Sequence, residues 1–471
     1  MAAKSSAQWV PPARPAQPAS SVPTGPGHRD AVLVLPGIMG SELVESATGR
    51  VLWGGPDLRR YGSAWASGGS LSALHVTDEE RAGVTGRIRA TRLLRFPAFA
   101  PVLRGFEPYT KLLAGTRRVA AHPDAVREFA YDWRLSTEHA AARLAETADD
   151  HLRAWRAHPH GSRDARLTLV AHSMGGLVAR FFMTALGGAR DVRTLITLGT
   201  PFHGSVQAAG LLGSGRGTPL PLPRRRLRAL ARTLPGLYEL LPGYRCVEEP
   251  AGDFRRLTSA DVESLGGDRE LAQQSLDRRE KLNESDAGTL PQLRAVVGVG
   301  QRTPQSLTVA DGTAELREYV PDGDTRLDRR GDGTVYREAA TPAGLRPFYL
   351  PQSHGALARS EEAVAFTGSV LTERPLGPPL GATELGLYVP DVATAREPCP
   401  VEVDLVDNPI AVELQVIDVS ENLEIDRPRL SRRDGRLRAD VRLPWPGLYR
   451  VEAKCGGFSP VSQLVLAVAG D

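Results

Sequence analysis

The apolar positions in the first three quarters of the chain alternate between short strand-like runs and helix-like stretches. Ala31–Leu35 is a continuous apolar run that ends at Pro36-Gly37, which is typical of a strand buried on both faces of a sheet. Three more runs have this pattern, and helical periodicity lies between them. The alternation predicts a doubly wound, mostly parallel α/β sheet with right-handed crossovers. The further runs are Leu167–Val170, Leu195–Leu198 and Leu293–Val297, and the helices are Glu138–Trp155 and Leu177–Leu186.

Two long segments interrupt this alternation. Residues 44–108 carry scattered aromatics and leucines between glycine-rich turns, and residues 206–290 run from a glycine-rich stretch through an arginine cluster. Insertions of this length in an α/β scaffold usually form lids or caps, because loops at one edge of the sheet accept additions without disturbing the core. We therefore expect both segments to overhang the functional site of a domain that covers residues 30–375.

The periodicity changes after about residue 375. Pro375–Pro379 has the composition of a linker, and beyond it apolar and polar residues alternate, as in Val401, Val403 and Leu405. Turn signals such as Asp434-Gly435 separate these runs. Residues 380–471 are therefore predicted to form an Ig-like antiparallel β-sandwich, a unit that could recruit a protein partner.

The overall composition narrows the classes of partner. Fifty-eight basic and 55 acidic residues leave a formal net charge of +3, which is too balanced for a surface that binds nucleic acid through its phosphates. Residues 1–29 are rich in proline and lack the apolar core of a signal peptide, so we expect a disordered tail. No run of about 18 apolar residues occurs, so no membrane-spanning segment is expected. These features favour a cytoplasmic protein.

The use of cysteine agrees with this compartment. Cys246, Cys399 and Cys455 have no metal-ligand spacing and are too few for a disulfide framework. A single Cys399–Cys455 bridge stays open as an alternative. The pattern fits a reducing environment, and no metal or other cofactor is expected.

The strongest chemical signal is the segment Leu167–Phe182, LTLVAHSMGGLVARFF. A buried strand, a tight turn and an amphipathic helix in this order are the pattern of a nucleophile elbow, with Ser173 at the turn. Such a turn strains the backbone at the serine, and the residues two positions before and after it must be small so that strand and helix do not collide. Ala171 and Gly175 meet this requirement. Ser173 is therefore the candidate nucleophile.

A serine nucleophile needs an imidazole base, and the imidazole needs a carboxylate that holds its tautomer. In α/β-hydrolases these groups follow the nucleophile in the order carboxylate, then histidine. The histidines downstream of Ser173 are His203 and His354. His354 follows Phe348–Leu350, which would be the last strand, and this is where the base is required. We expect His354 to be the base and His203 to shape the pocket.

The carboxylate is expected in a turn upstream of the base. Asp332 lies in the glycine-flanked segment Gly331–Val335, consistent with the loop after the penultimate strand. Acidic turn residues are often only solvated loop positions, so neighbouring acids compete with it. Asp332 is preferred, and Asp322, Asp324 and Asp328 remain alternatives.

The oxyanion that forms during acyl transfer needs two backbone N–H groups. One would come from Met174, the residue after the nucleophile. The other would come from the glycine-rich loop Pro36–Gly40 after the first strand, where glycine lets the backbone approach a substrate. Within this loop Ile38 is favoured over Met39.

Taken together, these blocks resemble the lecithin:cholesterol acyltransferase family, which includes lysosomal-type phospholipases A and many bacterial lipase-like members. The resemblance extends over roughly residues 30–375 and implies an α/β-hydrolase fold. It implies Ser173, Asp332 and His354 as a triad, with Ile38 and Met174 as oxyanion donors. The Tyr131–Arg134 block would brace the core below the site. The matching segments are Val34–Leu43, Tyr131–Arg134, Ala171–Gly176, Leu198–Pro201, Gly298–Gly300, Gly331–Val335 and Ser353–Gly355.

The sequence therefore favours a serine hydrolase or acyltransferase that cleaves acyl esters through an acyl-enzyme, with lipids as the expected substrates. A small-ester or peptide hydrolase of the same fold is one alternative. A catalytically weak scaffold whose C-terminal unit binds partners is another. The basic amphipathic stretch Arg224–Arg232 would allow peripheral contact with anionic lipid, with a solvated charged face as the competing interpretation.

Overall fold

The structure of the chain is a computed structural model. It describes residues 27–56, 72–100, 104–213, 224–285, 292–323, 325–342, 344–375, 385–405, 411–433, 436–456 and 460–470. Nearly all of the predicted disordered tail, and most of the predicted linker, lie outside the described residues. Within the described residues, no helix combines the length and the apolar character that a membrane crossing requires.

A six-stranded sheet forms the centre of the larger part of the chain, and every pairing in it is parallel. Both flanks of Ala31–Leu35 are filled by strands, and all five of its residues are fully buried, as its apolar run predicts. The predicted parallel α/β sheet is thus confirmed. In spatial order the strands are Phe348–Pro351, Gln292–Val299, Val192–Leu198, Leu167–His172, Ala31–Leu35 and Val126–Glu128.

The chain reverses direction across this sheet after its second strand. From Ala31–Leu35 it moves outward to the edge strand Val126–Glu128, and then back across the first strand to Leu167–His172. With right-handed crossovers, such a reversal places helices on both faces of the sheet. Helix Thr137–Ala157 packs against Met174–Ala185, and helix Glu361–Thr372 packs against Thr110–Val119. This is the doubly wound topology of an α/β-hydrolase.

The first predicted insertion, residues 44–108, folds as small β elements beside the central sheet. Ser41–Glu45 pairs with Val51–Trp53 and with Ile88–Leu93, and Ala98–Ala100 forms a hairpin with Arg104–Phe106. A short helix, Asp78–Arg81, lies between these strands. Its role as a lid stays a prediction.

The second predicted insertion, residues 206–290, is mainly helical and continues beyond its predicted end. Its strands Arg245–Glu248 and Phe254–Arg256 share a sheet with Ser306–Ala310 and Thr313–Arg317, which come after the central strand Gln292–Val299. Strands Val320–Asp322 and Thr325–Leu327 form a separate hairpin. The helices of this region are Val206–Leu212, Arg224–Ala231, Pro235–Tyr238, Ser259–Ser264 and Arg269–Ser285.

Residues 385–470, here called the C-terminal strands, contain no helix among their described residues. Side chains from both of their sheets, such as Val401 and Val451, belong to one buried cluster. The pairings are antiparallel with one exception, since Val392–Thr394 runs parallel to Val461–Val468. One sheet has the order Leu385–Tyr388, Pro398–Leu405, Arg436–Arg442, Ser431–Arg433, and the other has the order Val392–Thr394, Val461–Val468, Gly447–Cys455, Val412–Asp418, Leu423–Asp426.

The three cysteines are buried free thiols. Cys399 and Cys455 belong to the same buried cluster of the C-terminal strands and are not bridged. Burial raises the pKa of the Cys246 thiol to about 12 and that of Cys399 to about 11, so both stay protonated and unreactive near neutral pH. The disulfide alternative is therefore absent from this structure.

Candidate active site

Ser173 lies at the sharp turn between strand Leu167–His172 and helix Met174–Ala185. Its backbone has φ 51° and ψ −126°, a conformation that costs a non-glycine residue about 1–3 kcal/mol. Two hydrogen bonds hold it there: the Ser173 N–H donates to the Leu198 carbonyl at 2.9 Å, and the Thr200 hydroxyl donates to the Ser173 carbonyl at 3.0 Å. The turn predicted from the sequence is therefore a strained elbow that is fixed by the neighbouring strand.

Close packing explains the small residue two positions after the serine. A methyl group added to Gly175 would lie 2.4 Å from the Pro36 carbonyl oxygen, which is far inside van der Waals contact. The elbow helix therefore packs directly on the loop that follows the first strand. This contact brings Ser173 beside the loop that is expected to supply an oxyanion donor, and a methyl group added to Gly37 would lie 2.8 Å from the Ser173 Cβ.

The structure brings the three residues of the predicted triad together. His354 Nε2 lies 2.8 Å from Ser173 Oγ, and His354 Nδ1 lies 2.7 Å from Asp332 Oδ2. All three residues are buried, with exposures of 4% for Ser173, 1% for Asp332 and 7% for His354. This is the geometry that a general base needs to take a proton from a serine hydroxyl. Their catalytic roles remain predictions.

The Asp332 carboxylate is held by the turn in which it lies. Its Oδ1 accepts from the backbone N–H groups of Thr334 and Val335 at 2.9 and 2.8 Å, which leaves Oδ2 for His354. The same residue's carbonyl accepts from the His354 backbone N–H at 2.8 Å. The turn therefore orients both the side chain and the backbone of the histidine.

The competing acids have other partners. Asp322 lies 3.3 Å from the Arg329 guanidinium, and Asp328 accepts from the Gln305 side chain at 2.6 Å. Asp324 lies outside the described residues. Gly298 explains why Asp332 can reach the site, because a methyl group there would lie 2.5 Å from the Asp332 Cβ. Within the Gly298–Gly300 segment, Gly298 thus leaves space for the side chain of Asp332.

His203 occupies a different place from His354. Its backbone N–H donates to the Ala339 carbonyl at 3.0 Å, and its carbonyl accepts from Gly243 at 2.9 Å. These bonds connect the loop after strand Val192–Leu198 to the segment that follows the Asp332 turn and to the second insertion. The arrangement leaves His354 as the histidine that meets Ser173.

The candidate oxyanion donors are backbone N–H groups at the elbow and in the facing loop. Met174 is the first residue of its helix, so its N–H has no partner within the helix. In the facing loop, the N–H of Gly37 donates to Tyr109 Oη and that of Gly40 donates to the Gly37 carbonyl. The loop's own bonds thus leave the N–H groups of Ile38 and Met39 as candidates, and the preference for Ile38 stays a prediction.

Two buried residues next to the triad were missed by the sequence analysis. The Tyr109 hydroxyl lies 2.8 Å from His172 Nδ1, and His172 Nε2 lies 3.0 Å from the carbonyl oxygen of His354. His172 stands inside the elbow motif, so its position was visible, but its partners were not. Tyr109 belongs to none of the motifs, and it directly follows the first insertion.

The Tyr131–Arg134 block braces the same loop from below. Tyr131 Oη donates to the Pro36 carbonyl at 2.9 Å, and Trp133 Nε1 donates to the Ser41 carbonyl at 3.2 Å. Arg134 is fully buried and forms ion pairs with Asp132 at 2.7 Å and with Glu80 at 2.8 Å. The block therefore ties the loop after the first strand to the first insertion.

The segment before His354 contacts the C-terminal strands. The Ser353 hydroxyl donates to the Ser462 carbonyl at 2.5 Å, and Gln352 Oε1 accepts from the Ser462 N–H at 3.1 Å. Nearby, Arg450 forms a buried two-point ion pair with Glu107, whose backbone N–H donates to the Gly355 carbonyl. The segment that contains His354 is thus packed between the central sheet and the C-terminal strands.

One group of side chains has the composition of a metal site. His122, Asp124 and His158 place candidate ligand atoms within 4.8 Å of one another. Backbone N–H groups already donate to the Nδ1 atoms of His122 and His158, from Asp124 at 3.3 Å and from His160 at 3.1 Å. A ring nitrogen that accepts a hydrogen bond cannot also offer that lone pair to a metal or carry the proton that ligation at the other nitrogen requires. We assign no metal to this group.

Comparisons with known proteins agree with the motifs and the fold. The sequence model described as "Lecithin:cholesterol acyltransferase" matches residues 103–266, which include Ser173 and end before Asp332. No curated protein matches the chain. A solved structure of the Tle4-Tli4 complex contains a chain that is 15% identical, with a TM-score of 0.52 over 72% of this chain and 98% of that chain.

Two other solved structures are more distant. Bacillus licheniformis lipase BlEst2 in its mature form is 12% identical, with a TM-score of 0.32 over 75% of this chain and 96% of that one. Phospholipase PlaB from Legionella pneumophila, in complex with thio-NAD, is 11% identical, with a TM-score of 0.30 over 92% of this chain and 89% of that one. At these identities the fold comparison rests on the first structure alone. The sequence-model match over residues 103–266 confirms the resemblance of this chain to the lecithin:cholesterol acyltransferase family.

Proposed function

We propose that this protein is a serine hydrolase or acyltransferase that cleaves acyl esters of lipids. The observation that carries the proposal is the buried chain of contacts from Ser173 Oγ through His354 to Asp332, at 2.8 and 2.7 Å. Such a chain has one well-established use, the activation of a hydroxyl nucleophile. The family resemblance supports acyl esters as the substrate class.

The proposed reaction has two halves that share one intermediate. Ser173 Oγ attacks the carbonyl carbon of the ester while His354 Nε2 takes its proton, and Asp332 stabilises the resulting imidazolium. The N–H groups of Met174 and Ile38 stabilise the negative oxygen. His354 then protonates the departing alkoxide, which leaves an acyl-enzyme. Water or another alcohol, deprotonated by His354, attacks this ester and releases the acid or the new ester.

Lipid is favoured over a small ester by the resemblance to the lecithin:cholesterol acyltransferase family. The second insertion contributes several helices whose apolar side chains, such as Leu211, Leu230 and Leu237, are buried inside the protein. Long insertions of this kind typically form a cap over a site. The domain division, with a hydrolase unit over residues 30–375 and an Ig-like sandwich over residues 380–471, is part of this proposal.

Peripheral contact with a membrane is part of the proposal for the arginine cluster. Helix Arg224–Ala231 buries Leu230 and Ala231 and exposes Arg226, whereas the Arg232 guanidinium donates to the carbonyls of Leu212 and Leu265. The exposed Arg226 would therefore face lipid, while Arg232 stabilises the helix. Sedimentation with anionic and neutral vesicles tests this, because equal binding to both would contradict it.

A fluorophosphonate probe tests the chemistry directly. We expect covalent labelling of the wild-type protein at Ser173, none of Ser173→Ala, and hydrolysis rates that rise with acyl-chain length in a series of esters and phospholipids. A profile that peaks at short chains would favour the small-ester hydrolase. Absence of labelling in folded wild-type protein would favour the scaffold, whose C-terminal strands would then bind a partner.

A further inference from the structure

A line of buried hydrogen bonds runs beside the triad and connects the candidate oxyanion loop with the backbone of His354. The Gly37 N–H donates to Tyr109 Oη at 3.0 Å, Tyr109 Oη lies 2.8 Å from His172 Nδ1, and His172 Nε2 lies 3.0 Å from the His354 carbonyl oxygen. The line begins in the candidate oxyanion loop, passes through the residue before the nucleophile, and ends on the backbone of the base. Tyr109 and His172 are 2% and 3% exposed.

The direction of every bond in this line is determined. Burial, with the neighbouring His354, lowers the pKa of His172 to about 3, so its ring is neutral and carries one hydrogen at working pH. The His354 carbonyl can only accept, so that hydrogen is on Nε2. Nδ1 is therefore an acceptor, and Tyr109 donates to it while accepting from Gly37. Burial also raises the pKa of Tyr109, which keeps the hydroxyl protonated as this direction requires.

We propose that Tyr109 and His172 are positioning residues that hold the oxyanion loop and the backbone of His354 in register with Ser173. The inference rests on the proposed function of the triad. Neither side chain touches the reacting atoms, since each acts through Gly37 or through the carbonyl of His354. The line starts at the amide N–H of Gly37 and ends at the carbonyl oxygen of His354, neither of which gives up or takes a proton near neutral pH, so it serves to fix geometry.

Fixed geometry matters because His354 belongs to a short 3₁₀ turn, His354–Arg359, rather than to a long element. Its backbone is held by two groups from the larger part of the chain: the Asp332 carbonyl, which accepts its N–H, and His172 Nε2, which donates to its carbonyl. A displacement of a reacting group by about 1 Å costs up to about a hundredfold in rate. Loss of the hydrogen bond from His172 would remove one of these two constraints on the backbone of His354.

Tyr131 provides a matched control for Tyr109. Both tyrosines are buried, and both hydroxyls bond to the Pro36-Gly37 segment. Tyr131 donates to the Pro36 carbonyl, and among the described residues only the Tyr109 hydroxyl is hydrogen-bonded to His172 Nδ1. Y109F and Y131F therefore each remove one hydroxyl that bonds to the same loop. We expect Y109F to lower kcat about tenfold with KM unchanged, and Y131F to stay within about threefold of the wild type.

Two substitutions at His172 test its hydrogen bond to the His354 carbonyl. In H172Q the side-chain amide nitrogen can still donate to the His354 carbonyl, whereas in H172F both polar atoms are lost and the ring is kept. We expect H172F to lower kcat about 30-fold and H172Q to restore it to within about fivefold of the wild type. The rate of fluorophosphonate labelling at Ser173 should follow the same order, because phosphonylation by the probe reports the reactivity of the serine without an ester substrate.

The experiment measures kcat, KM, labelling rate and melting temperature for the wild type, S173A and these four variants. If the wild type neither takes label nor hydrolyses esters, the proposed function fails. If the wild type is active and Y109F and Y131F lose kcat equally, or H172F keeps the wild-type kcat and labelling rate, the positioning role is wrong. Should H172F not fold, the tyrosine pair still decides, since each substitution removes a single oxygen.

Discussion

The nucleophile and the base of the candidate triad are built in opposite ways. Ser173 lies within 16 consecutive residues, Leu167–Phe182, that form a strand, a turn and a helix, and its strained backbone follows from that local succession. His354 lies in a short turn whose partners are distant in the chain: Asp332 is 22 residues away, and His172 is 182 residues away. Ser353, beside it, bonds to Ser462 at a separation of 109. A catalytic residue that is positioned by its neighbours in the chain can be predicted from the sequence. A residue that is positioned by distant segments depends on the whole fold.

Removing the nucleophile is expected to have the largest effect. S173A should lower kcat by about a millionfold, because no other group at the elbow can form the acyl-enzyme. The melting temperature should change little, because the neighbouring bonds of Ser173 use its backbone. Ester hydrolysis and thermal unfolding measure the two quantities. Activity near the wild-type rate would contradict the assignment of Ser173.

On the base side, D332N should lower kcat by about ten-thousandfold, since an amide cannot stabilise the imidazolium and disturbs the tautomer of His354. The turn bonds from Thr334 and Val335 to the side-chain oxygen remain possible in this variant. D328N, at an alternative acid that bonds Gln305, is the matched control and should keep activity. Equal losses in the two variants would remove Asp332 from the triad.

Breaking the Arg450–Glu107 ion pair tests how strongly the C-terminal strands are anchored near His354. The Arg450 and Glu107 side chains are only 6% and 3% exposed. R450M leaves the buried Glu107 carboxylate with only the more distant Arg359, at 3.9 Å, and should cost about 3 kcal/mol in the free energy of unfolding. R436M, at a half-exposed arginine that pairs with Glu402, should cost less than about 1 kcal/mol. Urea unfolding compares them. A similar cost for both would mean that the buried pair does not anchor the C-terminal strands.

The last prediction is a pH dependence of stability that comes from His172. Its pKa falls to about 3 in the folded protein and returns to about 6.5 on unfolding, so below pH 6.5 only the unfolded chain takes up this proton and stability decreases. Relative to H172Q, the wild type should lose about 1.4 kcal/mol per pH unit between pH 6 and 4. Urea unfolding of both proteins at several pH values checks this. Parallel pH profiles would mean that His172 is charged in the folded state.

Much of the larger unit could be predicted from the sequence. Ala31–Leu35 was predicted with its exact bounds, and the elbow was predicted because a buried strand, a serine turn and a glycine-rich helix start are consecutive. The edge strand Val126–Glu128 was not predicted, since three residues carry too short a pattern to be distinguished from a loop. The continuation of the second insertion into Ser306–Arg317 was also missed, because strand pairing across a central strand leaves no local signal.

By itself, the sequence determined the parallel α/β class, the elbow at Ser173 and the small set of acids and histidines from which a triad could be drawn. These features depend on the periodicity of neighbouring residues and on the steric demands of one tight turn. Only the tertiary structure decided that Asp332 rather than Asp322 or Asp328 meets His354, and that Tyr109 and His172 lie behind them. These hydrogen bonds join residues that are 22, 63 and 182 positions apart. They arise from packing, and packing is a property of the folded chain as a whole.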